Sequence, residues 1–397
     1  MRYDALADLR VLDLTHYIAG PYATKLCADM GAQVIKVEPP MGDGARRIGN
    51  RLKPDRGPLF AFLNTNKFGV TLNLKHPRGR QLLFELAGQS DMMFENFAPG
   101  TLARLGIPPE LLREKFPQLV LVSISNFGQN GPDRDSRLND LVLFARGGWT
   151  YPVGEPDREP LTPAGSFGQY IGGLYGAIGA MQALFARDDA GRGQHVDISL
   201  LEATVATMIY DAVIFQYTGV LRTRQGRRYA KGPFMIATLQ CRDGYAGLHC
   251  VSDRQFDALF ELMGRPELAR DPRFYSGIAR MGNNDELLEL CEHFFAHHEA
   301  AWLYREGQRR GIPICPIPTL AQVLEWEQLR ARRFFETIDD PELGPIRIPG
   351  NPFRLGAHRP VPTSAAPRLG EHNDEILGRR LGHSGSELAN LRAQGAI

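Results

Sequence analysis

Five short apolar runs alternate with helical patterns over the first third of the chain: RVLDL (Arg10–Leu14), QVIKVE (Gln33–Glu38), GVTLN (Gly69–Asn73), MMFE (Met92–Glu95) and LVLVSI (Leu119–Ile124). Strands that read as apolar throughout must be covered on both faces, and a chain that alternates them with helices meets that need as a parallel sheet between two helical layers. The intervening helices read over Gly20–Gly31, with Tyr22, Leu26, Cys27 and Met30 on its apolar face, and over Arg78–Gly88. The fold class that follows is α/β, with a Rossmann-like large domain.

Farther along, Gly147–Gly165 is dense in Pro, Gly and acids and reads as an irregular loop crossing the top of the sheet. Helical pattern returns over Gly172–Arg187, so rich in Gly and Ala that it must pack closely against another backbone. Ser199 and Glu202 have the spacing of a capping box opening an apolar helix to about Tyr217. The polar, basic run GVLRTRQGRRYAKGP (Gly219–Pro233) marks a domain boundary. A smaller α+β domain follows, with a hairpin over Thr238–Val251 turning at Asp243-Gly244. Helices are expected over Asp253–Met263, Asn284–His297 and Glu299–Arg310. The organisation expected is therefore 1–218 as the large domain, 219–325 as the small domain with its linkers, and 326–397 as a C-terminal segment returning to the large one. Asp339–Pro367 reads as extended and loop-like.

The 46 Lys and Arg residues against 45 Asp and Glu leave a net charge of +1, which argues against a nucleic-acid or membrane-surface partner. Cys27, Cys241, Cys250, Cys291 and Cys315 are scattered, without a CxxC pair, and fit a reducing compartment. The N-terminal MRYDALADLRVLDL carries acids where a secretory signal needs basic residues and an apolar core, so a cytoplasmic location is expected.

Glu38 stands at the end of the second strand, where an acid can hold a ribose, yet the preceding turn HYIAGPYA lacks the G-x-G-x-x-G that admits a pyrophosphate. A tightly bound nicotinamide or flavin is not expected. His293, His297, His298 and Glu299 share a helical face but lack further ligand spacing, so they read as solvated surface and no metal is expected. Arg46, Arg47, Lys67, Lys75, Arg78 and Arg104 cluster near strand ends, where an open α/β sheet would receive a phosphorylated ligand.

VLDLTHYIAGPYATKLCADMGAQVIKVEPP, LNTNKFGVTLNLKHPRGRQLLFEL, DMMFENFAPGTLARLG, SISNFGQNGP and GRGQHVDISLLEA, in that order, resemble the class III CoA-transferase family of carnitine dehydratase and formyl-CoA transferase type (CaiB/BaiF). The likeness continues through RPELARDPRF, RGIPICPIP and GEHNDEIL and so spans nearly the whole chain. It implies two ring-shaped chains interlocked as a homodimer or heterodimer, with an acyl-CoA as substrate on the large domain's sheet. By motif, His16, Ala19, Lys75, Asn96, Phe97, Arg104 and Arg137 match CoA-contacting positions, and Pro39 stands where some members place an arginine.

The resemblance also places the reactive group. The family's nucleophile is an aspartate four residues before the glycine matching Gly173, and it attacks the thioester to form a mixed anhydride. Here that position is Gln169, and SFGQYIGG contains no Asp or Glu. A carboxamide has neither the charge nor the available lone pair for this step. The family's racemase branch needs a His and an Asp, whose positions are Asn139 and Gln169 here, so racemisation is not expected. The family's glycine-rich cover would fall at YAKGPFM (Tyr229–Met235), of which only Gly232 matches. The chain then reads as the subunit lacking the nucleophile in a heteromeric enzyme, similar to two-chain members such as succinyl-CoA:benzylsuccinate CoA-transferase, with a homologous partner carrying the aspartate. The alternatives are a homodimeric transferase using another carboxylate (Asp140, Asp157 and Glu159 precede Gln169 in sequence) or a ternary-complex route, and a non-catalytic acyl-CoA-binding protein. Tyr17, Phe127, Trp149, Tyr151 and Phe167 are expected in loops facing the acyl site, which hints at a bulky acyl group.

Overall fold

In the computed structural model, which describes residues 4–49, 57–226, 228, 232–356 and 359–397, the chain divides into two compact units. The first comprises residues 1–147, 163–210 and 328–397, and the second residues 148–162 and 211–327.

Among the described residues, the first unit is built on a six-stranded sheet: β1 (Arg10–Asp13), β2 (Gln33–Glu38), β3 (Lys67–Thr71), β4 (Met92–Glu95), β5 (Val120–Ser125) and β6 (His195–Ser199). Its order is β3-β2-β1-β4-β5-β6 and every adjacent pair is parallel. The helices are α1 (Ala19–Asp29), α2 (Pro58–Leu63), α3 (Pro77–Ala87), α4 (Thr101–Arg104), α5 (Pro109–Lys115), α6 (Asp140–Arg146), α7 (Phe167–Ala190), α8 (Leu200–Ala206) and α9 (Ile209–Thr218), the last running into the second unit. Strand order reverses between β1 and β4, and the crevice outside the carboxyl ends of the strands at such a switch point is the ligand-binding place of this topology.

Alternate side chains explain the two layers. Leu12, Ile35, Val37, Val70, Met93 and Leu121 pack with Leu82, Leu83 and Leu86 of α3 and with Ile376, Leu377, Leu388 and Leu391 from the C-terminal segment. Val11, Val34, Met92, Phe94, Val120 and Val122 pack instead on Ala19, Ala23 and Cys27 of α1 and on Ala177, Ala180 and Ala183 of α7. The close approach anticipated for α7 comes from its glycines. A Cβ on Gly172 would lie 2.1 Å from Leu200 Cδ2, and one on Gly173 would lie 2.5 Å from the carbonyl oxygen of Ala19.

The second unit is a three-stranded antiparallel sheet, β7 (Met235–Cys241), β8 (Gly244–Cys250) and β9 (Ile314–Pro316), with α10 (Asp253–Leu262), α11 (Gly277–Gly282), α12 (Asn284–Ala296) and α13 (Ala300–Arg309). Its core includes Phe256, Phe260, Phe274 and Phe295, all fully enclosed. α14 (Leu320–Leu324) and α15 (Glu327–Ala331) lead on to the hairpin β10 (Phe335–Asp340) and β11 (Gly344–Pro349), and α16 (Gly385–Ala393) lies near the C-terminus.

Several sequence expectations shift. The stretch read as extended after Asp339 begins inside the β10–β11 hairpin. The apolar helix read from Ser199 to Tyr217 is two helices, because Thr207 turns its hydroxyl onto the carbonyl of Thr204 at 2.6 Å and its amide makes the tighter i→i−3 bond to the same oxygen. Residues 148–162 group with the second unit. Their polar partners are there: the amide of Gly226 donates to the carbonyl of Gly154 at 3.0 Å, and Arg224 donates to the carbonyls of Tyr151 and Glu155. Among the described residues no helix is long and apolar enough to cross a membrane.

Candidate active site

The turn from β1 into α1 is held by buried charge. Asp13, the last residue of β1, has no solvent exposure. It accepts from Thr15 Oγ1 at 2.5 Å, Thr24 Oγ1 at 2.7 Å and Lys67 Nζ at 2.9 Å. Lys36 on β2 donates to the carbonyl of Thr15 and lies 3.3 Å from Asp43. Burial alone would raise the Asp13 carboxyl, but Lys36, Lys67 and the two hydroxyls outweigh it and hold the group well below the usual carboxylate range. Lys67 is pulled the other way, to about 8, because burial exceeds the help it receives from Asp13.

Above this ionic floor, the backbone N–H of His16 donates to Asn96 Oδ1 at 2.7 Å, and Asn96 Nδ2 donates back to the carbonyl of His16 at 2.8 Å. Asn96 thus ties the β1 turn to the β4 turn across the switch point. Tyr17 occupies the left-handed region (φ 63°), unfavourable for a bulky residue, and its N–H is held by the Asp43 carboxylate at 3.2 Å.

Two cavities open along this edge. The first, of about 470 Å³, is lined by apolar groups from the ends of β1 to β4, with His16, Glu38, Asn73 and Lys75 as polar members and Pro39, Pro40 and Met41 as its outer wall. The second, of about 310 Å³, brings together Asn96, Ser125, Asn126, Arg104, Arg134 and Arg137. Phe97 lines both. Of the residues singled out in the sequence, His16, Lys75, Asn96, Phe97, Arg104 and Arg137 therefore line one cavity or the other. Ala19 lines neither: it is buried at the start of α1, with its carbonyl against Gly173.

The basic cluster separates into two sets. Lys67 is consumed by Asp13, and Arg46 makes two bonds to Glu38 at 2.6 and 2.8 Å while stacking 3.7 Å from the Phe60 ring centroid. Glu38, the acid that could have held a ribose, is occupied by Arg46 and by the N–H of Asp43. Arg47 and Arg78 bond the Met41 carbonyl and Gln81. Lys75 and Arg104 remain at the cavities.

Gln169 is the third residue of α7. Its backbone N–H donates to the carboxyl of Asp140, which also accepts from the Ser166 hydroxyl. Asp140 therefore satisfies a first-turn amide of a long helix, the role of an N-cap acceptor supplied from a neighbouring element. Burial raises its pKa, these two hydrogen bonds and one from its own amide offset part of the rise, and its Oδ1 is buried without a partner among the described residues. Asn139 caps α6 itself, accepting from Val142 N at 3.1 Å. Tyr170 meets Tyr22 edge-on, with centroids 4.9 Å apart, and anchors α7 to α1.

Phe167 begins α7 and is not a loop residue, and Trp149 and Tyr151 belong to the second unit. Tyr229, Ala230 and Lys231 of the expected cover lie outside the described residues, whereas Gly232 accepts from Asn284 Nδ2 at 3.1 Å. His298 stacks on Trp302 and its Nδ1 bonds the carbonyl of Phe294, while the Nδ1 of His297 bonds that of His293. No cluster able to hold a metal occurs among the described residues. Glu95, Ser123, His195 and Arg134 carry little signal of their own in the sequence. The glutamate immediately before Asn96 and the HVDIS run, which forms β6, were the available signals.

The sequence matches CoA-transferase family III over residues 6–373. The chain belongs to that family. Among its relatives in the family, succinyl-CoA–D-citramalate CoA-transferase of Chloroflexus aurantiacus is 36% identical over 395 residues, covering 99% of this chain and 98% of that protein. The succinyl-CoA–L-malate CoA-transferase β subunit of the same organism is 32% identical over 398 residues, with 99% and 98% coverage. A crystal structure of a CaiB/BaiF family protein from Brucella suis superimposes with a TM-score of 0.83 at 32% identity, covering 94% of this chain and 98% of that one. The family III fold thus accounts for the parallel sheet.

Proposed function

We propose that this chain binds an acyl-CoA at the carboxyl edge of its six-stranded sheet and is the subunit without the nucleophile in a heteromeric family III CoA-transferase, whose homologous partner carries the aspartate. The transfer moves CoA from an acyl-CoA to a carboxylic acid. In this reading CoA lies across the two cavities, its adenine ring suited to the apolar walls of the first and its phosphates to the arginines of the second. One observation carries the assignment: the position that must supply a carboxylate is Gln169, and the acid beside it, Asp140, is engaged as the cap of α7. A relative named as a β subunit supports a two-chain arrangement.

Asp140 also favours a second reading, a homodimer acting alone. Its carboxyl contacts the backbone of Gln169, and an acceptor acid or Asp140 itself would then attack the thioester. The test is CoA transfer from succinyl-CoA to a panel of carboxylic acids by wild type and Gln169→Asp. Inert wild type and an active variant are expected. Turnover by wild type alone overturns the first reading, and loss of that turnover in Asp140→Asn assigns it to the second.

A further inference from the structure

Directly behind the turn that lines both cavities sits a carboxyl group with no cation among its partners. Glu95, the last residue of β4, is 3% exposed. Its Oε2 accepts the backbone N–H of Phe97 at 2.8 Å, and its carboxyl is also bonded by the hydroxyl of Ser123 on β5. Ser123 Oγ is in turn 2.9 Å from Nε2 of His195 on β6, a half-buried ring. Ser123 has one proton. Donating it to Glu95 leaves its oxygen to accept from His195 Nε2–H, so the three side chains form a hydrogen-bonded row from a partly exposed imidazole to the cavity turn. Register places Glu95 opposite Ser123 and Ser123 opposite Asp197.

We propose that Glu95 is a proton-linked positioning residue for the CoA site, taking up a proton when a CoA ester binds across the Asn96–Phe97 turn. The argument is electrostatic. Empty, the turn lines a cavity that holds the guanidinium groups of Arg104, Arg134 and Arg137 and the carboxylate of Asp135, 3.6 Å from Arg134, and none of these charges is among the groups that shift Glu95. CoA brings three phosphates, whose negative potential beside the turn opposes the carboxylate, so the neutral acid becomes the favoured form. The surrounding groups permit this. Asp197 on β6 opposes ionisation of Glu95. His195, with Arg113 and Glu110 near its ring, is itself held below its ordinary value by burial and so remains neutral at pH 7. His16 lines the first cavity. Burial has already pushed Glu95 up to about 7, with Ser123 and the Phe97 amide resisting, so a modest further rise changes its charge near neutral pH. The proton comes from solvent and resides on the Glu95 carboxyl, and no covalent bond is made.

The inference rests on CoA occupying this edge, and the test separates the two. Coenzyme A is titrated into the full-length protein by calorimetry between pH 6 and 8, in buffers of different ionisation enthalpy, which gives the protons exchanged on binding. Wild type is expected to take up a fraction of a proton near pH 7, with affinity falling as pH rises by at most about tenfold per unit, the limit for one linked proton. Glu95→Gln keeps a carbonyl for the Phe97 amide and is expected to bind with flatter pH dependence and less uptake. Titration of the CoA phosphates is common to both proteins and cancels in the difference. Ser123→Ala, which removes a donor that favours the carboxylate, is expected to move the uptake maximum to higher pH. Equal uptake by wild type and Glu95→Gln overturns the inference, and if Glu95→Gln does not fold, an unmoved maximum in Ser123→Ala does so. Failure of folded wild type to bind CoA overturns the placement of the site, and the inference with it.

Discussion

Replacing Asp13 by Asn tests the ionic floor of the site most directly. The substitution is nearly isosteric, but Thr15 bonds one carboxylate oxygen and Thr24 and Lys67 the other, so the amide keeps an acceptor for one side only and the cost is the lost charge together with that lost acceptor. Asp13 and Asp43 face Lys36 and Lys67 with balanced charge, and all four side chains have no solvent exposure. Removing one anion leaves Lys67, 2.9 Å away, with only neutral acceptors in Asn64, Thr24 and the carbonyl of Pro21. Breaking one partner of a buried pair costs about 3–5 kcal/mol. Lys67 can escape part of this by losing its proton, and since it already sits near 8 that escape is cheap at neutral pH. A loss of about 2–4 kcal/mol is therefore expected, read from urea unfolding monitored by circular dichroism. The double variant Asp13→Asn, Lys67→Met restores charge balance, so it should be less destabilised than the sum of its singles by at least about 1 kcal/mol. A change below 1 kcal/mol in Asp13→Asn, or strict additivity in the double variant, would refute the claim that these charges are coupled.

Two further outcomes follow from the same geometry. Gly173→Ala places a methyl 2.5 Å from the Ala19 carbonyl oxygen, a backbone atom that cannot rotate away. Overpacking of about 1–3 kcal/mol should exceed the gain of about 1 kcal/mol in helix propensity, giving a lower melting temperature and, because Ala19 opens α1 beside the ligand turn, weaker CoA binding by calorimetry. For pH, Asp13 and Asp43 have folded pKa values depressed below their unfolded ones, so their stabilisation is present above about pH 4 and is lost as pH falls further. Glu95 has the opposite sign: its folded value of about 7 exceeds the model-compound value of 4.5, so stability falls between those two values as pH rises. Unfolding midpoints of wild type and Glu95→Gln, compared from pH 4.5 to 7.5, should diverge in that window.

The strands of the sheet core were legible because they are apolar on both faces, and β1, β2, β4 and β5 fall within a residue or so of where RVLDL, QVIKVE, MMFE and LVLVSI place them. β6 was not: HVDIS mixes charge with β-branched residues, and it sits at the sheet edge, where only half-burial is required. The break between α8 and α9 was hidden because a threonine hydroxyl bonding back to Thr204 leaves the apolar pattern unchanged. At the site, the motifs located both cavities, but composition could not distinguish a cation that lines a cavity from one that props a turn. Arg46 and Lys67 read like Lys75 and Arg104 in sequence, and only the positions of Glu38 and Asp13 separate them.

That separation bears on Gln169. If the position had lost its carboxylate by general decay of the site, the expensive parts of the ligand edge should have decayed with it. Instead the chain retains a fully buried four-charge network, a left-handed tyrosine and a two-way Asn96 clamp, each of which costs stability or restricts sequence and serves the turn at the cavity mouths. Asp140 likewise still caps α7 at the backbone of Gln169. On the proposed reading, in which Gln169 stands in place of the nucleophile, a chain that keeps this frame intact is what a binding role separate from nucleophilic attack requires.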